Sequence, residues 1–252
     1  MKTDLAENGL FRIVINRPER RNAVNFEVMS GLKDALETAE KERVIKAVLI
    51  RGAGDAAFCS GGDLKEFHSL ETEAEAYEML SKMGSIVLRL LTLKKPTIAF
   101  MNGAAVGGGC EIAAACDIRV AVPGIKLGFV QGNQGITTGW GGASILYEKL
   151  PASACLRLLL SGQVFTAAAA RDLGFIDYIL DSGESGEWKD YLDALLNKES
   201  GVLSGYKKLL ISKWEEGNLH GRIHEEIAEC SRLWVSEPHM EAVRRFTGKK
   251  NN

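Results

Sequence analysis

Short apolar runs rich in β-branched residues alternate with helical patterns through the first half of the chain, and this alternation restricts the fold more than any other feature. Apolar strands joined by helical crossovers predict a mainly parallel sheet covered by helices, and therefore an α/β fold. The predicted strands are 10–16, 46–52, 96–102 and 117–122, and the predicted helices are 26–43, 74–93 and 108–116.

The pattern changes after about residue 197, where three helical segments follow one another without an intervening strand. We predict an α/β core over 1–197 and a helical module over 198–252, with helices near 200–215, 219–235 and 239–247. A short helical tail has little core of its own, so its apolar stripe must pack on the body or on another subunit. The stripe consists of Leu209, Ile223, Ile227, Leu233, Trp234 and Val243.

The composition is typical of a globular protein and argues against nucleic-acid binding. The chain has 252 residues, of which 46% are hydrophobic and 25% charged, and its formal net charge is −2. These are ordinary values for a soluble globular protein, and the dispersed basic residues do not form a nucleic-acid-binding surface. A small-molecule substrate is therefore favoured over a polyanion.

The five cysteines are odd in number and form no CxxC pair, which is typical of reduced thiols rather than of disulfides or a zinc ribbon. The N-terminus lacks the apolar core of a signal peptide, and no run of about 18 apolar residues is present. We expect a cytoplasmic protein that does not enter the membrane.

The triplet Gly107-Gly108-Gly109 opens an apolar helix that carries one acid, Glu111, on its first turn. Amides freed at a helix start can hold a developing negative charge, and a buried carboxyl nearby can move a proton beside it. The alternative is that Glu111 merely favours the helix N-terminus, an effect of about 0.3 to 1 kcal/mol. The first interpretation indicates enolate chemistry.

A second glycine-rich segment, residues 57–64, directly follows the strand at 46–52 and contains Gly61-Gly62-Asp63. An N–H from this segment could converge with one from the triplet on a single oxygen, which would form an oxyanion hole. The alternative is a plain turn in which Asp63 caps the helix that follows, and both can hold together.

Two other patterns are weaker. Residues 52–57 match the dinucleotide pattern GxGxxA, but Gly61-Gly62 follows at once and would disrupt the helix that such a site needs. His220 and His224 have i, i+4 spacing, but no third metal ligand is visible, and a solvated or interface face is the better interpretation. We predict no metal.

With both glycine segments in view, the chain resembles the crotonase (enoyl-CoA hydratase/isomerase) superfamily over nearly its whole length. The resemblance implies a spiral of β-β-α turns with a C-terminal helical module, an acyl-CoA substrate, no separate cofactor, and assembly as a homotrimer or homohexamer. It is carried by Asn16-Arg17-Pro18, Asn22-Ala23, FCSGGDLKEF, KPTIAFMNGAAVGGGCEIAAACDIRVA, GNQGITTGWGG and SGQVFTAAAARDLGFIDYI.

The resemblance also implies site residues. The N–H groups of Gly62 and Gly108 would hold the thioester oxygen, and Glu111 would handle the proton. Gln131 and Trp140 would shape the acyl pocket. A coenzyme A contact from Phe246 or Lys249 is not carried over, because the tail departs from the usual hydratase ending. The implied coenzyme A-binding residues are Arg20, Arg21, Ala23, Ser60, Gly61, Asp63 and Leu64.

Gln131 decides which reaction is favoured. Hydratases of this family use two glutamates; Glu111 falls on the first and Gln131 on the second. An amide cannot exchange protons near neutral pH, whereas decarboxylation of a malonyl-type acyl-CoA needs only one acid after the enolate forms. Local motifs also resemble the ethylmalonyl- and methylmalonyl-CoA decarboxylase branch. The alternatives are an enoyl-CoA hydratase or isomerase of fatty-acid metabolism and a non-catalytic acyl-CoA-binding oligomer.

Overall fold

The computed structural model describes residues 1–67, 69–180 and 186–248, except for the side chains of 246–248. Its larger sheet has six strands in the order β1-β2-β3-β5-β7-β10, which are parallel apart from the antiparallel first pair. All four predicted strands are confirmed within it. The strands are β1 (Lys2–Leu5), β2 (Leu10–Ile15), β3 (Ala47–Gly52), β5 (Thr97–Met101), β7 (Ile118–Ala121) and β10 (Tyr178–Ile179).

A smaller sheet of four strands packs beside it in the order β4-β6-β8-β9. Each of β3, β5 and β7 is followed at once by a strand of this second sheet, so the chain winds as a spiral of β-β-α turns, as the resemblance implied. The strands are β4 (Ala57–Cys59), β6 (Ala104–Val106), β8 (Lys126–Gly128) and β9 (Phe165–Thr166).

Helices complete the turns of the spiral, and local capping explains where two of them begin. The Asn25 side chain accepts the N–H of Val28 at the start of α1, and Thr72 and Glu75 form a reciprocal capping box at the start of α3. The helices of the core are α1 (Phe26–Lys41), α2 (Leu64–Phe67), α3 (Glu73–Leu91), α4 (Gly108–Ala115), α5 (Gly142–Lys149), α6 (Ala152–Leu160), α7 (Ala167–Asp172) and α8 (Glu187–Leu196).

The six-stranded sheet is apolar on both faces, which explains its nearly continuous apolar strands. One face belongs to the main core, where α1, α3 and α4 pack. On the other face Leu10, Leu49 and Ile98 pack with Leu195 and Leu196 of α8. No helix begins within 52–57, where β4 follows instead, so the dinucleotide pattern is not realised as such a site.

The C-terminal segment forms the three predicted helices, α9 (Ser200–Glu216), α10 (Leu219–Trp234) and α11 (Glu237–Gly248). The α10 helix packs on α3 and α5 of the same chain. Of the predicted stripe, Ile223, Ile227, Trp234 and Val243 are buried here, whereas Leu209 is 71% exposed. Within the described ranges, no helix is both long enough and apolar enough to cross a membrane.

Candidate active site

The glycine triplet brings the start of α4 into close contact with two other segments. Gly107 has φ +55°, in the region that favours glycine, and its N–H donates to the Gly128 carbonyl over 2.8 Å. A Cβ at Gly108 would lie 2.1 Å from the Trp140 ring, and one at Gly109 would lie 2.0 Å from the Cys59 carbonyl oxygen. The triplet is therefore required sterically, because a side chain at residue 108 or 109 would clash with these neighbours.

The second glycine segment is held by the chain at Val24. The Val24 N–H donates to the Gly61 carbonyl, and the Asp63 N–H donates to the Val24 carbonyl, each over 2.8 Å. Gly61 has φ +88°, and a Cβ there would lie 3.2 Å from the Gly108 nitrogen. The two glycine segments thus meet directly.

The amides of Gly62 and Gly108 are available for a ligand. Across the described ranges, neither N–H donates to a protein acceptor, and both residues line the same cavity. Two free donors from separate segments that line one cavity are consistent with the predicted oxyanion hole, which needs two N–H groups near one oxygen.

Glu111 lies beside these amides and is only 2% exposed. Its Oε2 accepts the N–H groups of Trp140 and Gly142, each over 2.9 Å, and its Oε1 accepts Nε2 of Gln131 over 2.9 Å. Burial raises the pKa of Glu111 to about 7, and the charge of Glu226 adds to that rise, while the three hydrogen bonds oppose it. The carboxyl can therefore either donate or accept a proton near neutral pH.

The cavity has a volume of about 200 Å³ and a mainly apolar lining. Trp140 is 4% exposed and lies over Gly108, and Met79 and Leu80 of α3 also line the cavity. Among the lining residues that the structure describes, Glu111 is the single carboxylic acid, and there is no lysine or arginine.

Gln131 contacts Glu111 directly, through the hydrogen bond from its Nε2. It begins a 3₁₀ helix over Gln131–Gln134. The Oε1 atoms of Gln131 and Gln134 are both buried, and neither has a hydrogen-bond partner within the described chain. Because both residues line the cavity, these two acceptors can serve a ligand or a bound water molecule.

The helical module forms one wall of the cavity, which sequence reasoning missed. Cys230 and Trp234 of α10 and His239 of α11 line it. His239 Nδ1 lies 2.6 Å from the Gln134 carbonyl oxygen, so this nitrogen carries a proton. Burial raises the pKa of the Cys230 thiol, which keeps this part of the wall uncharged. The apolar stripe on α10 predicted that the helix is buried but not what it covers.

The residues implied for coenzyme A binding divide into three groups. Ser60, Gly61 and Leu64 line the cavity. Arg20 and Arg21 are exposed next to it, since their carbonyl oxygens accept hydrogen bonds from Ser60. The side chain of Phe246 and all of Lys249 lie outside the described residues.

Ala23 and Asp63 are not among the residues that line the cavity. Ala23 is buried. The Asp63 carboxylate forms a 2.9 Å ion pair with Arg17 and also accepts the Lys65 N–H at the start of α2. Capping, the alternative considered for Asp63, is thus its observed role.

The two histidines of α10 contact each other, with 3.2 Å between their Nε2 atoms, and lie on the exposed surface. Across the described residues, no group of three or more histidine, cysteine, aspartate or glutamate side chains could hold a metal ion.

Two sheets wound as a spiral, with a glycine-lined cavity at the start of a buried helix, define a crotonase-type acyl-CoA enzyme. The chain belongs to the enoyl-CoA hydratase/isomerase family, whose sequence model matches residues 5–251.

Individual relatives differ in the reactions that their names state. The chain is 30% identical to ethylmalonyl-CoA decarboxylase of Xenopus laevis over 248 residues, which are 97% of this chain and 82% of that protein. It is 32% identical to the mitochondrial methylglutaconyl-CoA hydratase of Mus musculus over 179 residues, 71% of this chain and 57% of that protein. Enoyl-CoA hydratase from Bacillus halodurans has a similar structure, with a TM-score of 0.88, 26% identity, and coverage of 97% and 98% of the two chains.

Proposed function

We propose that this protein is a cofactor-independent acyl-CoA lyase that decarboxylates an alkylmalonyl-CoA. The observation that carries the proposal is the pairing of Glu111 with Gln131. Glu111 is the single carboxylic acid among the described residues of the cavity wall. Its hydrogen-bond partner, the Gln131 amide, cannot act as a general acid or base near neutral pH. One acid beside two free amides suits a reaction that protonates an enolate once.

The proposed reaction begins when the bond between Cα and the substrate carboxylate breaks. Its electron pair moves into the thioester, CO₂ leaves, and the resulting enolate oxygen accepts the N–H groups of Gly62 and Gly108. Glu111 then donates its proton to Cα and is reprotonated from solvent. Because Oε2 of Glu111 already accepts two backbone N–H groups, Oε1 is the oxygen that carries this proton.

The lining of the cavity favours loss of CO₂. The described lining residues include no lysine or arginine that would stabilise the substrate carboxylate, and the Oε1 atoms of Gln131 and Gln134 are acceptors that repel it. Poor solvation raises the free energy of the substrate carboxylate more than that of the transition state, in which the charge has moved toward the thioester, so the barrier to decarboxylation falls. The similarity to the Xenopus decarboxylase along 97% of the chain supports the same reaction.

Enoyl-CoA hydration is the second candidate. The unpartnered Oε1 of Gln131 could hold a water molecule next to Glu111, which would then act alone as base and acid. Several relatives, including the mouse methylglutaconyl-CoA hydratase, carry hydratase names.

The decisive experiment offers the purified protein ethylmalonyl-, methylmalonyl- and crotonyl-CoA, and follows CO₂ release and loss of the double bond side by side. We expect CO₂ release from one or both malonyl-type substrates and slow hydration of crotonyl-CoA. Rapid hydration without CO₂ release would refute the proposal and favour the second candidate. Binding of acyl-CoA without turnover would indicate a non-catalytic binding protein.

We also propose that the protein assembles into a homotrimer or homohexamer. Apolar side chains on the helical surface support this, because Leu160, Tyr206 and Leu209 are 79%, 72% and 71% exposed in the single chain. Sedimentation equilibrium would measure the mass, and a monomer at micromolar concentration would contradict this part of the proposal.

A further inference from the structure

A second carboxylate, Glu226 of α10, lies at the same helix end as Glu111. Its Oε1 accepts the N–H of Ala143 over 3.1 Å, and its Oε2 accepts the N–H of Ser144 over 2.7 Å. Glu111 accepts the N–H of Gly142, the residue immediately before them. Three successive amides at the start of α5 thus bind two carboxylates from different parts of the chain.

The turn over 138–144, which lies between these carboxylates, is held by contacts with α10. The Thr138 hydroxyl bonds to Glu226, and its oxygen also accepts the Ala143 N–H. Gly141 has φ +95°, and a Cβ there would lie 2.9 Å from Ile223 of α10. The turn over 138–144, which supplies both backbone donors to Oε2 of Glu111, is therefore held in place by α10.

The charge of Glu226 also acts on Glu111. The other titratable groups around Glu111 are Cys110 on its own helix, Cys230 on α10 and His239, which lines the cavity from α11. Burial raises the pKa of both thiols, so they are neutral, and Glu226 is the nearby negative charge that raises the pKa of Glu111.

We propose that Glu226 is a positioning residue for Glu111: through the first turn of α5 it fixes the backbone donors of Trp140 and Gly142, and it places a second carboxylate at the same helix end. The C-terminal module would then set the protonation of the site as well as close it. This inference rests on the proposed role of Glu111 in proton transfer, which decarboxylation and hydration share.

The test measures the titration of Glu111 directly, so that it does not depend on turnover. Infrared spectra across pH 4–9 would follow the carboxyl band that disappears in Glu111→Gln, in the wild type and in Glu226→Gln. We expect the Glu111 titration to move to lower pH by about 0.5 to 1 unit in Glu226→Gln, because a like charge is removed. The exposed neighbour Glu225→Gln is the matched control and is expected to leave the titration unchanged.

A second variant separates the effect of the Glu226 charge from the effect of its side-chain length. Glu226→Asp keeps the charge but shortens the side chain, so we expect an unchanged Glu111 titration together with a severalfold lower kcat and a KM close to that of the wild type. If Glu226→Gln titrates like the wild type, or if Glu226→Asp shifts the titration as far as Glu226→Gln does, the proposal is overturned. If the protein releases no CO₂ and yet the titration moves as expected, the decarboxylase assignment fails while the role of Glu226 stands.

Discussion

The Gln131 amide donates a 2.9 Å hydrogen bond to Oε1 of Glu111, at the position that the family resemblance assigns to the second carboxylate of a hydratase. The bond orients the acid, but the amide itself cannot act as a general acid or base near neutral pH. It also leaves Gln131 Oε1 buried without a partner in the described chain. This single contact connects the sequence difference at residue 131 with the chemistry proposed for the site.

Replacing Gln131 with glutamate should change the balance of reactions. Two adjacent carboxyl groups would share one proton, which restores the acid and base needed for hydration. We expect Gln131→Glu to increase the rate of crotonyl-CoA hydration by at least about tenfold and to slow CO₂ release. Gln134→Glu, which introduces the same charge elsewhere in the cavity wall, is the matched control. An equal gain in hydration in both variants would contradict this explanation.

Glu111→Gln tests the proton-handling group. The variant keeps the size of the side chain, and a flipped Gln131 amide can accept the new N–H through its unpartnered Oε1. We therefore expect a folded protein that binds acyl-CoA normally but turns over about 10² to 10⁴ times more slowly. Stopped-flow measurement of turnover and calorimetric measurement of affinity would separate the two effects. Full activity would exclude Glu111 as the acid.

The pH dependence follows from the pKa of Glu111, which burial raises to about 7. The protonated form is the donor, so kcat/KM should be level below about pH 6 and fall about tenfold per pH unit above pH 7. A pH profile with malonyl-type substrate would measure this limb. A rate that rises through pH 7 would mean that Glu111 acts as a base.

Stability should depend on pH through the same group. A carboxyl whose pKa rises on folding, from 4.5 to about 7, stabilises the fold fully below pH 4.5. This contribution to the unfolding free energy declines between pH 4.5 and 7 and is absent above pH 7. The loss over that range is on the order of 3 kcal/mol. Urea unfolding of the wild type and Glu111→Gln at pH 5 and pH 8 would measure it. The difference between their unfolding free energies should move in favour of Glu111→Gln as pH rises.

Gly108→Ala tests the close packing at the oxyanion site. The new methyl group would lie 2.1 Å from the Trp140 ring, so the ring or the start of α4 must move. We expect a loss of about 1 to 3 kcal/mol in unfolding free energy and a fall of at least about tenfold in kcat/KM. Gly205→Ala in α9, with no atom within 4 Å of its added methyl, should instead stabilise the protein by about 0.5 to 1 kcal/mol.

Much of the secondary structure, and one site residue, can be predicted from the sequence because they depend on residues that are close together in the chain. The apolar runs at β3 and β5 are long enough to identify buried strands, and the single acid in the apolar helix α4 identifies Glu111. The cytoplasmic location and the absence of a cofactor stay predictions, as does the division at residue 197.

Other parts of the site depend on contacts that no local pattern records. Glu226 lies 115 positions after Glu111 on an ordinary amphipathic helix, and nothing in its neighbourhood indicates that it caps α5. Similarly, the motif around Asp63 predicts a coenzyme A contact, yet the ion pair of Asp63 with Arg17 depends on how two distant loops meet. Such partners are set by tertiary packing.

The wall formed by Cys230, Trp234 and His239 has a consequence for synthesis of the protein. These residues leave the ribosome after the whole α/β core, and α10 and α11 must dock before the cavity is enclosed. A nascent chain that already contains Gly62, Gly108 and Glu111 is therefore still open to water at its reacting centre. Activity should therefore appear only after α10 and α11 have been synthesised and have docked on the core.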